Sequence, residues 1–280
     1  MVSTAMKRIL RAAACAALLL PLAAVANEGM KLQPAPIRTQ DLESLQNGAR
    51  LFVNYCLNCH SANYMRYNRL RELGLSEELI RDNLIFTGVK VGDLMQVAMD
   101  KKDAKQWFGA PPPDLTVIAR SRSSSAGSGT DWVYNYLRAF YRDDSRPTGW
   151  NNLVFENVAM PHVLWQLSGQ HRLEKQEFEK HDEAVAALIA TKTIARLEEV
   201  PATDGKPGVR FILRSVVPAP GSPSQTAYDR AVTDLVNYLD FMAEPARHER
   251  RRMGIYALML LGLFFVFAYG LKKRFWKDVH

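Results

Sequence analysis

The 280-residue sequence contains only three cysteines, at positions 15, 56 and 59. So few thiols exclude a framework of structural disulfides and a zinc site built from four cysteines. Cys15 lies in a segment that we expect to be cleaved, as argued below, which leaves Cys56 and Cys59 as the only pair. These two are separated by two residues, so their role depends on the residues around them.

Charge is absent from a run near the C-terminus, residues 253–271. As a helix this run would rise about 28 Å, close to the hydrocarbon thickness of a bilayer. A buried core helix is the alternative, but the run is apolar on every face and has basic clusters at both ends. We predict one transmembrane helix over residues 251–272 and a short tail over residues 273–280. The basic flanks nearly balance and do not orient the helix.

A cleavable signal peptide is predicted over residues 1–26. Basic residues precede an apolar run that is too short for a good membrane span, and residues 24–26 (Ala-Val-Ala) fit the small-x-small cleavage pattern. Export would place residues 27–250 in the periplasm and the C-terminal tail in the cytoplasm. We therefore predict a single-pass protein of a bacterial inner membrane.

Positive charge is concentrated at the two ends of the chain. The net charge is +7, yet residues 247–280 hold eight basic and two acidic residues and the signal peptide holds three basic ones, which leaves residues 27–246 at −2. The high isoelectric point therefore does not indicate a nucleic-acid-binding protein, and we expect no nucleic-acid partner. The basic flanks of the anchor favour the lipid bilayer as their partner.

Residues 56–60, Cys-Leu-Asn-Cys-His, form the attachment motif of c-type haem. The two thiols add to the vinyl groups of one porphyrin, and His60 can then bind the iron from one face. A thioredoxin-type redox pair and half of a zinc site are the alternatives for a bare Cys-x-x-Cys pair. The zinc site lacks further ligands, and a redox pair would begin a helix rather than end one. We predict one covalently attached haem c.

The periplasmic domain is predicted to be mostly α-helical, with long loops and a small β-hairpin. Helices are expected over residues 41–55, 70–84, 91–99, 131–141, 174–195 and 226–242, and a hairpin over residues 196–217. Asp41 is expected to cap the first helix, and Thr130 or Asp131 the fourth. Gly48 would allow the first and last helices to cross closely. Residues 120–130 are expected to form a mobile loop, and residues 143–161 a functional one.

A second axial ligand would set the chemistry of a haem iron. A thioether closes the site and raises the reduction potential, which suits electron transfer, whereas an open site binds small molecules. Met160 is the candidate, because it lies in the irregular segment and Pro161 favours an extended backbone before it. His162 is the competing ligand. Other candidates are expected elsewhere. Met95 and Met99 are expected on one helix with their side chains in the core, and His171 and His181 are expected at the surface.

Two further residues are predicted to contact the haem. Arg120 follows the segment Ala-Pro-Pro-Pro-Asp-Leu-Thr and could pair with an anionic propionate, although a solvated arginine is the commoner case. Pro112 and its neighbouring prolines are expected to pack flat on the haem edge.

The order of several short motifs resembles the cytochrome c1 family, the haem c subunits of ubiquinol–cytochrome c reductase (the cytochrome bc1 complex). The resemblance covers nearly the whole mature chain, and the order of the motifs is more specific than any one of them. In order, the motifs are Cys56-Leu57-Asn58-Cys59-His60, Tyr64-Met65-Arg66-Tyr67, Pro112-Pro113-Asp114-Leu115 with Arg120, Pro147-Thr148-Gly149, Ala159-Met160-Pro161, Ala243-Glu244-Pro245 and Arg250-Arg251-Arg252-Met253-Gly254.

The resemblance implies a class I cytochrome c fold and a set of site residues. These are Cys56 and Cys59 for the thioether bonds, His60 and Met160 for the axial ligands, and Arg120 for a propionate. Some relatives carry an extra periplasmic cysteine pair that this chain lacks, so its distal loop is expected to be held by packing alone. Residues 166–225 match the family pattern least, and no role is assigned to them.

The resemblance also implies partners. The chain would be a redox subunit without catalysis of its own, taking an electron from a Rieske iron–sulfur protein and passing it to a soluble c-type cytochrome. Cytochrome b would be its membrane partner in a dimeric complex. Three alternatives stay open: an anchored cytochrome that feeds a terminal oxidase or reductase directly, an enzyme or sensor with an open iron, and a thiol oxidoreductase without haem.

Overall fold

The computed structural model describes residue 30 and residues 32–97, 99–201 and 208–278, and the predicted signal peptide lies outside these ranges. Helices predominate, as predicted. The α-helices are α1 (Leu42–Leu51), α2 (Glu77–Leu84), α3 (Lys101–Phe108), α4 (Ile118–Ser121), α5 (Gly129–Arg138), α6 (Trp165–Ser168), α7 (His181–Ala190), α8 (Gln225–Ala243) and α9 (Arg247–Phe275). A π-helical turn over Phe52–Cys56 continues α1, and a 3-10 helix spans Tyr67–Leu73.

The strands form three small antiparallel sheets. They are β1 (Ala62–Arg66), β2 (Leu94–Met95), β3 (Phe140–Arg142), β4 (Trp150–Asn152), β5 (His171–Phe178), β6 (Ala195–Pro201) and β7 (Val209–Pro218). Strand β1 pairs with β2, β3 pairs with β4, and β7 lies between β5 and β6. The predicted hairpin is confirmed as β6 and β7, and it acquires β5 as a third strand.

Helices α1 and α8 cross at Gly48, as predicted. A Cβ atom at this position would lie 2.0 Å from the carbonyl oxygen of Asp234 on α8, so only glycine permits the observed approach. Polar side chains hold the crossing in register: the hydroxyl of Ser44 donates to Oδ1 of Asp234 at 2.6 Å, and Nδ2 of Asn47 donates to Oδ2 at 2.6 Å. Asp41 caps α1 as predicted, since its side chain accepts from the backbone N–H of Ser44.

Helix α5 begins earlier than the sequence predicts. Ser128 is its N-cap, and Asp131, predicted as a cap, instead completes a capping box at the third helical position. The helix is joined to α8 by Arg138, whose Nε donates to Oδ1 of Asp229 at 2.6 Å. Together α1, α5 and α8 enclose the main apolar core.

Two predicted helices are wrong in part. Residues 171–178 form β5, because eight residues pair with β7 and this pairing outweighs the local helix preference of glutamate and lysine. Residues 94–95 form β2, which pairs with β1, so Met95 lies in the core on a strand rather than on a helix. In both segments a partner that is distant in the sequence decides the conformation.

Helix α9 is exposed along its length, and among the described residues it is the helix that is long and apolar enough to cross a membrane. It follows α8 after a short break at Glu244, Pro245 and Ala246. Arg247 bridges this break, donating from Nη2 to Oδ1 of Asp240 at 2.8 Å. Only three residues thus separate the predicted membrane anchor from α8.

We expect Gly48→Ala to lower the thermal stability of the full-length protein in detergent. The added methyl group must displace the backbone of α8, and this overpacking outweighs the gain of about 1 kcal/mol from alanine's helix preference. A net loss of at least about 1 kcal/mol corresponds to a fall in Tm of roughly 2–4 °C for a domain of this size. Circular dichroism would measure the change.

Gly92→Ala is the matched control, because nothing lies within 4 Å of a Cβ atom at that position. Equal melting temperatures for the two variants would contradict the close crossing.

Candidate functional site

An apolar cavity of about 360 Å³ lies between the end of α1, the proline segment 111–113, helix α5, residues 155–161 and helix α8. Its volume is within the roughly 300–1,000 Å³ that is typical of ligand sites. Leucine, valine, proline and aromatic side chains form most of its wall. The cavity therefore suits a large apolar group with few polar contacts.

The two cysteines and the histidine of the Cys-x-x-Cys-His motif all line this cavity. The π-helical turn after α1 ends at Cys56, and the chain then turns so that the N–H of His60 donates to the carbonyl of Cys56 at 2.8 Å. A π turn at the end of a helix is frequent at functional sites. Both thiols and the imidazole are thus presented to the same space by one short segment.

His60 has a defined tautomer. Its Nδ1 lies 2.7 Å from the carbonyl oxygen of Pro113, and a carbonyl can only accept, so Nδ1 carries the proton. Nε2 is then unprotonated and free to bind a metal. Burial lowers the pKa of His60, and the Pro113 carbonyl and the Asp114 carboxylate oppose that shift only in part. The imidazole is therefore neutral at neutral pH, as a ligand must be.

The two thiols lack the properties of a redox-active pair. Burial raises the pKa of Cys56 to about 12, with a further contribution from Cys59, and burial also raises the pKa of Cys59. A thioredoxin-type pair needs a lowered thiol pKa at the start of a helix. Here both thiols are protonated at neutral pH and follow the end of a helix, which disfavours the thiol oxidoreductase.

Met160 lines the same cavity as the motif, and its sulfur has one hydrogen-bond donor. The hydroxyl of Tyr136 donates to Sδ of Met160 at 3.4 Å. Tyr136 lies on α5 with its ring stacked on Trp132 at 4.8 Å, and burial raises its pKa, so the phenol keeps its proton. Sequence reasoning missed Tyr136, because a tyrosine within an aromatic helix is usually a core residue.

His162, the competing ligand, does not line the cavity. It is buried, its Nε2 lies 2.7 Å from the hydroxyl of Ser168, and its ring stacks on Phe140 at 4.8 Å. Burial, with a contribution from His171, lowers its pKa to about 3. His171 was expected at the surface and is buried instead, at the start of β5, whereas His181 is exposed as expected.

Pro112 lines the cavity, as predicted, but Arg120 does not. The guanidinium of Arg120, on the short helix α4, lies 3.9 Å from a carboxylate oxygen of Glu244 and is half exposed. Arg122 lines the cavity instead, with its guanidinium 4.7 Å from the ring centre of Trp132. No pattern in the sequence favours Arg122, since its serine-rich surroundings indicate a mobile loop.

The side chains of the cavity fit a c-type haem. Two protonated thiols can form thioethers, a neutral imidazole and a thioether can bind iron, and the apolar wall can enclose a porphyrin ring. Among the described residues, no group of three or more His, Cys, Asp or Glu side chains could hold a metal ion by itself.

Comparison with known proteins also indicates a c-type cytochrome. The family model described as "Cytochrome C1 family" matches residues 33–187 and 221–279. A protein named "Ammonia monooxygenase gamma subunit" from Nitrosomonas europaea is 45% identical over 251 residues, which are 90% of each chain. A protein named "Cytochrome c1" from Allochromatium vinosum is 43% identical over 266 residues, covering 94% of this chain and 96% of the relative. A "Cytochrome c1" from Rhodospirillum rubrum is 26% identical over 85% of this chain.

The matched stretches include the motif at residues 56–60, residue 160 and the apolar helix α9. The expected class I cytochrome fold and the expected role in electron transport with haem follow from the family. The chain belongs to the cytochrome c1 family.

Proposed function

We propose that the chain carries one haem c, bound covalently through Cys56 and Cys59, with His60 and Met160 as the axial ligands. The observation that supports this most directly is that both thiols, the imidazole and the thioether line one apolar cavity. When bound, haem supplies an iron that accepts and releases one electron. No bond of a substrate is made or broken at this subunit.

The surrounding residues keep each ligand in a state that suits the iron. The Pro113 carbonyl fixes the His60 tautomer and orientation, so Nε2 is presented without a proton. Tyr136 orients the sulfur of Met160, and a thioether ligand raises the reduction potential. The apolar wall excludes water, which disfavours the more highly charged ferric centre. Each of these features favours a stable, high-potential carrier over an open catalytic site.

The polar edge of the haem needs cationic or hydrogen-bond donors for its propionates. Arg120 stays our predicted contact, and Arg122 is a second candidate because it lines the cavity. Pro112 is proposed to pack on the haem edge. Arg120 lies within α4, and Arg122 follows it as the C-cap residue.

We further propose that the subunit works in a dimeric cytochrome bc1 complex. It would take electrons from a Rieske iron–sulfur protein and pass them to a soluble c-type cytochrome, with α9 packed against cytochrome b. The haem domain would face the periplasm and the C-terminus the cytoplasm, with residues 1–26 removed as a signal peptide. The family and the exposed apolar helix α9 support this arrangement.

Affinity purification of the protein from bacterial membranes in mild detergent tests this function. We expect a haem-stained band for this chain on a denaturing gel, together with a two-haem cytochrome b and a Rieske protein. Recovery with terminal oxidase or reductase subunits would support the alternative of an anchored cytochrome. Recovery with monooxygenase subunits would correspond to the name of the Nitrosomonas europaea relative. An unstained band would contradict covalent haem.

We predict that Met160→Leu keeps haem attached but lowers the reduction potential on the order of hundreds of millivolts, because the choice of axial ligand spans most of a volt. The reduced variant should also bind carbon monoxide, and the oxidised variant should lose the weak far-red sulfur-to-iron band. Redox titration and visible spectra measure these changes. Met95→Leu is the control, since Met95 lies in the core and not at the cavity. An unchanged potential in Met160→Leu would place the ligand elsewhere.

We predict a smaller effect for Tyr136→Phe. Loss of the O–H···S hydrogen bond leaves more electron density on the sulfur and so favours the ferric state. One hydrogen bond is worth about 0.5–1.5 kcal/mol, and about 1.4 kcal/mol corresponds to 59 mV for one electron, so the potential should fall by tens of millivolts. Tyr134→Phe on the same helix is the matched control, because Tyr134 contacts Arg138 and not the cavity. Equal potentials in the two variants would show that the hydroxyl has no such role.

A further inference from the structure

The segment that carries Met160, here called the distal loop and defined as residues 153–161, has neither helix nor strand. Its inner side chains line the cavity, including Phe155 and Val158. Side-chain amides hold its backbone from one end: Oδ1 of Asn152 accepts from the N–H groups of residues 154 and 155 at 2.9 and 3.1 Å, and Oδ1 of Asn151 accepts from that of Asn157 at 2.9 Å. These bonds fix the start of the loop.

The outer side of the distal loop is held by ion pairs with the hairpin β6–β7. The carboxylate of Glu156 contacts the guanidinium of Arg214 on β7 and lies 3.6 Å from that of Arg196 on β6. Glu198 on β6 contacts the same two arginines, and the distance to Nε of Arg196 is 3.3 Å. The side chain of Arg214 is only 15% exposed, so this cluster is partly shielded from solvent.

The strand register explains why Glu156 is needed. Arg196 and Arg214 are direct cross-strand partners, and like charges at such positions repel. Glu198 supplies one negative charge between them, and Glu156 of the distal loop supplies the second. The loop carboxylate therefore reduces the repulsion within this row of cations, which continues to Lys175 of β5, and the loop gains a fixed attachment point one residue after Phe155 of the cavity wall.

An apolar contact lies beneath the ion pairs. Leu153, the first residue of the distal loop, packs in one cluster with Tyr141 of β3, Ile194 beside β6 and Val216 of β7. The hairpin is thus joined to the loop by a buried apolar contact and by a charged contact at its edge. The ion pairs thus add to the packing, and the expectation that packing alone holds the loop is incomplete.

The hairpin also lies in the part of the chain between the two stretches that match the family model. Those stretches end at residue 187 and resume at residue 221, whereas Arg196, Glu198 and Arg214 all lie between them. The cluster therefore joins a segment outside the match to a loop inside it. It belongs to residues 166–225, for which the sequence predicts no role.

We propose that the β6–β7 hairpin is a positioning element that clamps the distal loop through the pairing of Arg214 and Arg196 with Glu156, and so keeps Met160 at the cavity. The consequence for iron ligation rests on the proposed function, but the clamp itself does not. Loss of the Glu156 carboxylate leaves two facing arginines with one counter-charge, and loss of Arg214 frees Glu156. Either change should let the loop open more often.

The test uses Glu156→Gln and Arg214→Gln in the full-length protein in detergent. Arg172→Gln is the matched control, because Arg172 forms an exposed pair with Glu174 on the same sheet and neither touches the loop. Hydrogen–deuterium exchange of a peptide covering residues 153–161 should be faster in both clamp variants, on the order of tenfold, and unchanged in the control. The reduced clamp variants should also bind carbon monoxide more readily than the parent.

A charge exchange, Glu156→Arg combined with Arg214→Glu, separates pairing from general damage. It keeps two positive and two negative charges in the cluster, so it should restore slow exchange, whereas Glu156→Arg alone should give the fastest exchange. Parent-like exchange of the loop in both glutamine variants would overturn the clamp. If the parent itself lacks the far-red band while the exchange differences remain, Met160 ligation fails and the clamp stands.

Discussion

The close crossing of α1 and α8 at Gly48 determines where the cavity lies. Asp234 of α8 is fixed against α1 by Ser44 and Asn47, and the next residue, Leu235, reaches the cavity wall. On α1, the same contact fixes the helix whose π-helical end presents Cys56. A bulkier residue at the crossing would separate the apolar wall from the thiols. The haem site is therefore a consequence of how two helices pack, and the motif at its edge depends on that packing.

The partners of each polar group at the site allow it only one tautomer or one protonation state. The Pro113 carbonyl can only accept, so it selects one tautomer of His60, and burial keeps this imidazole neutral. The phenol of Tyr136 keeps its proton in a buried position and can only donate to a thioether. His162 could compete for iron but is bonded to Ser168 outside the cavity. These surroundings favour Met160 over His162 as the proposed second ligand.

The part of the fold that the sequence predicts is the part built from local signals. The cap at Asp41, the helical spacing of α1 and α8 and the uncharged run of α9 are all contained within short windows. Strand β5 escaped prediction because its stability comes from pairing with β7, and its own residues favour a helix. The same distinction applies to the site. The motif at residues 56–60 can be predicted from the sequence because its residues are adjacent, whereas Tyr136 and Arg122 reach the cavity only through the arrangement of α5 and the loop before it.

The absence of further cysteines has a consequence for how the protein matures. Under the proposed removal of residues 1–26, Cys56 and Cys59 are the remaining thiols, so the chain can form one intramolecular disulfide, between these two. An additional cysteine pair in the distal loop could form mispaired disulfides with the two thiols that are proposed to bind haem. Ion pairs with Glu156 and the amides of Asn151 and Asn152 hold the loop without thiols, so loop folding and haem attachment do not compete for the same chemistry. The disadvantage is sensitivity to salt. Dissolved ions weaken the attraction within a partly exposed charge cluster, whereas they do not weaken a disulfide bond.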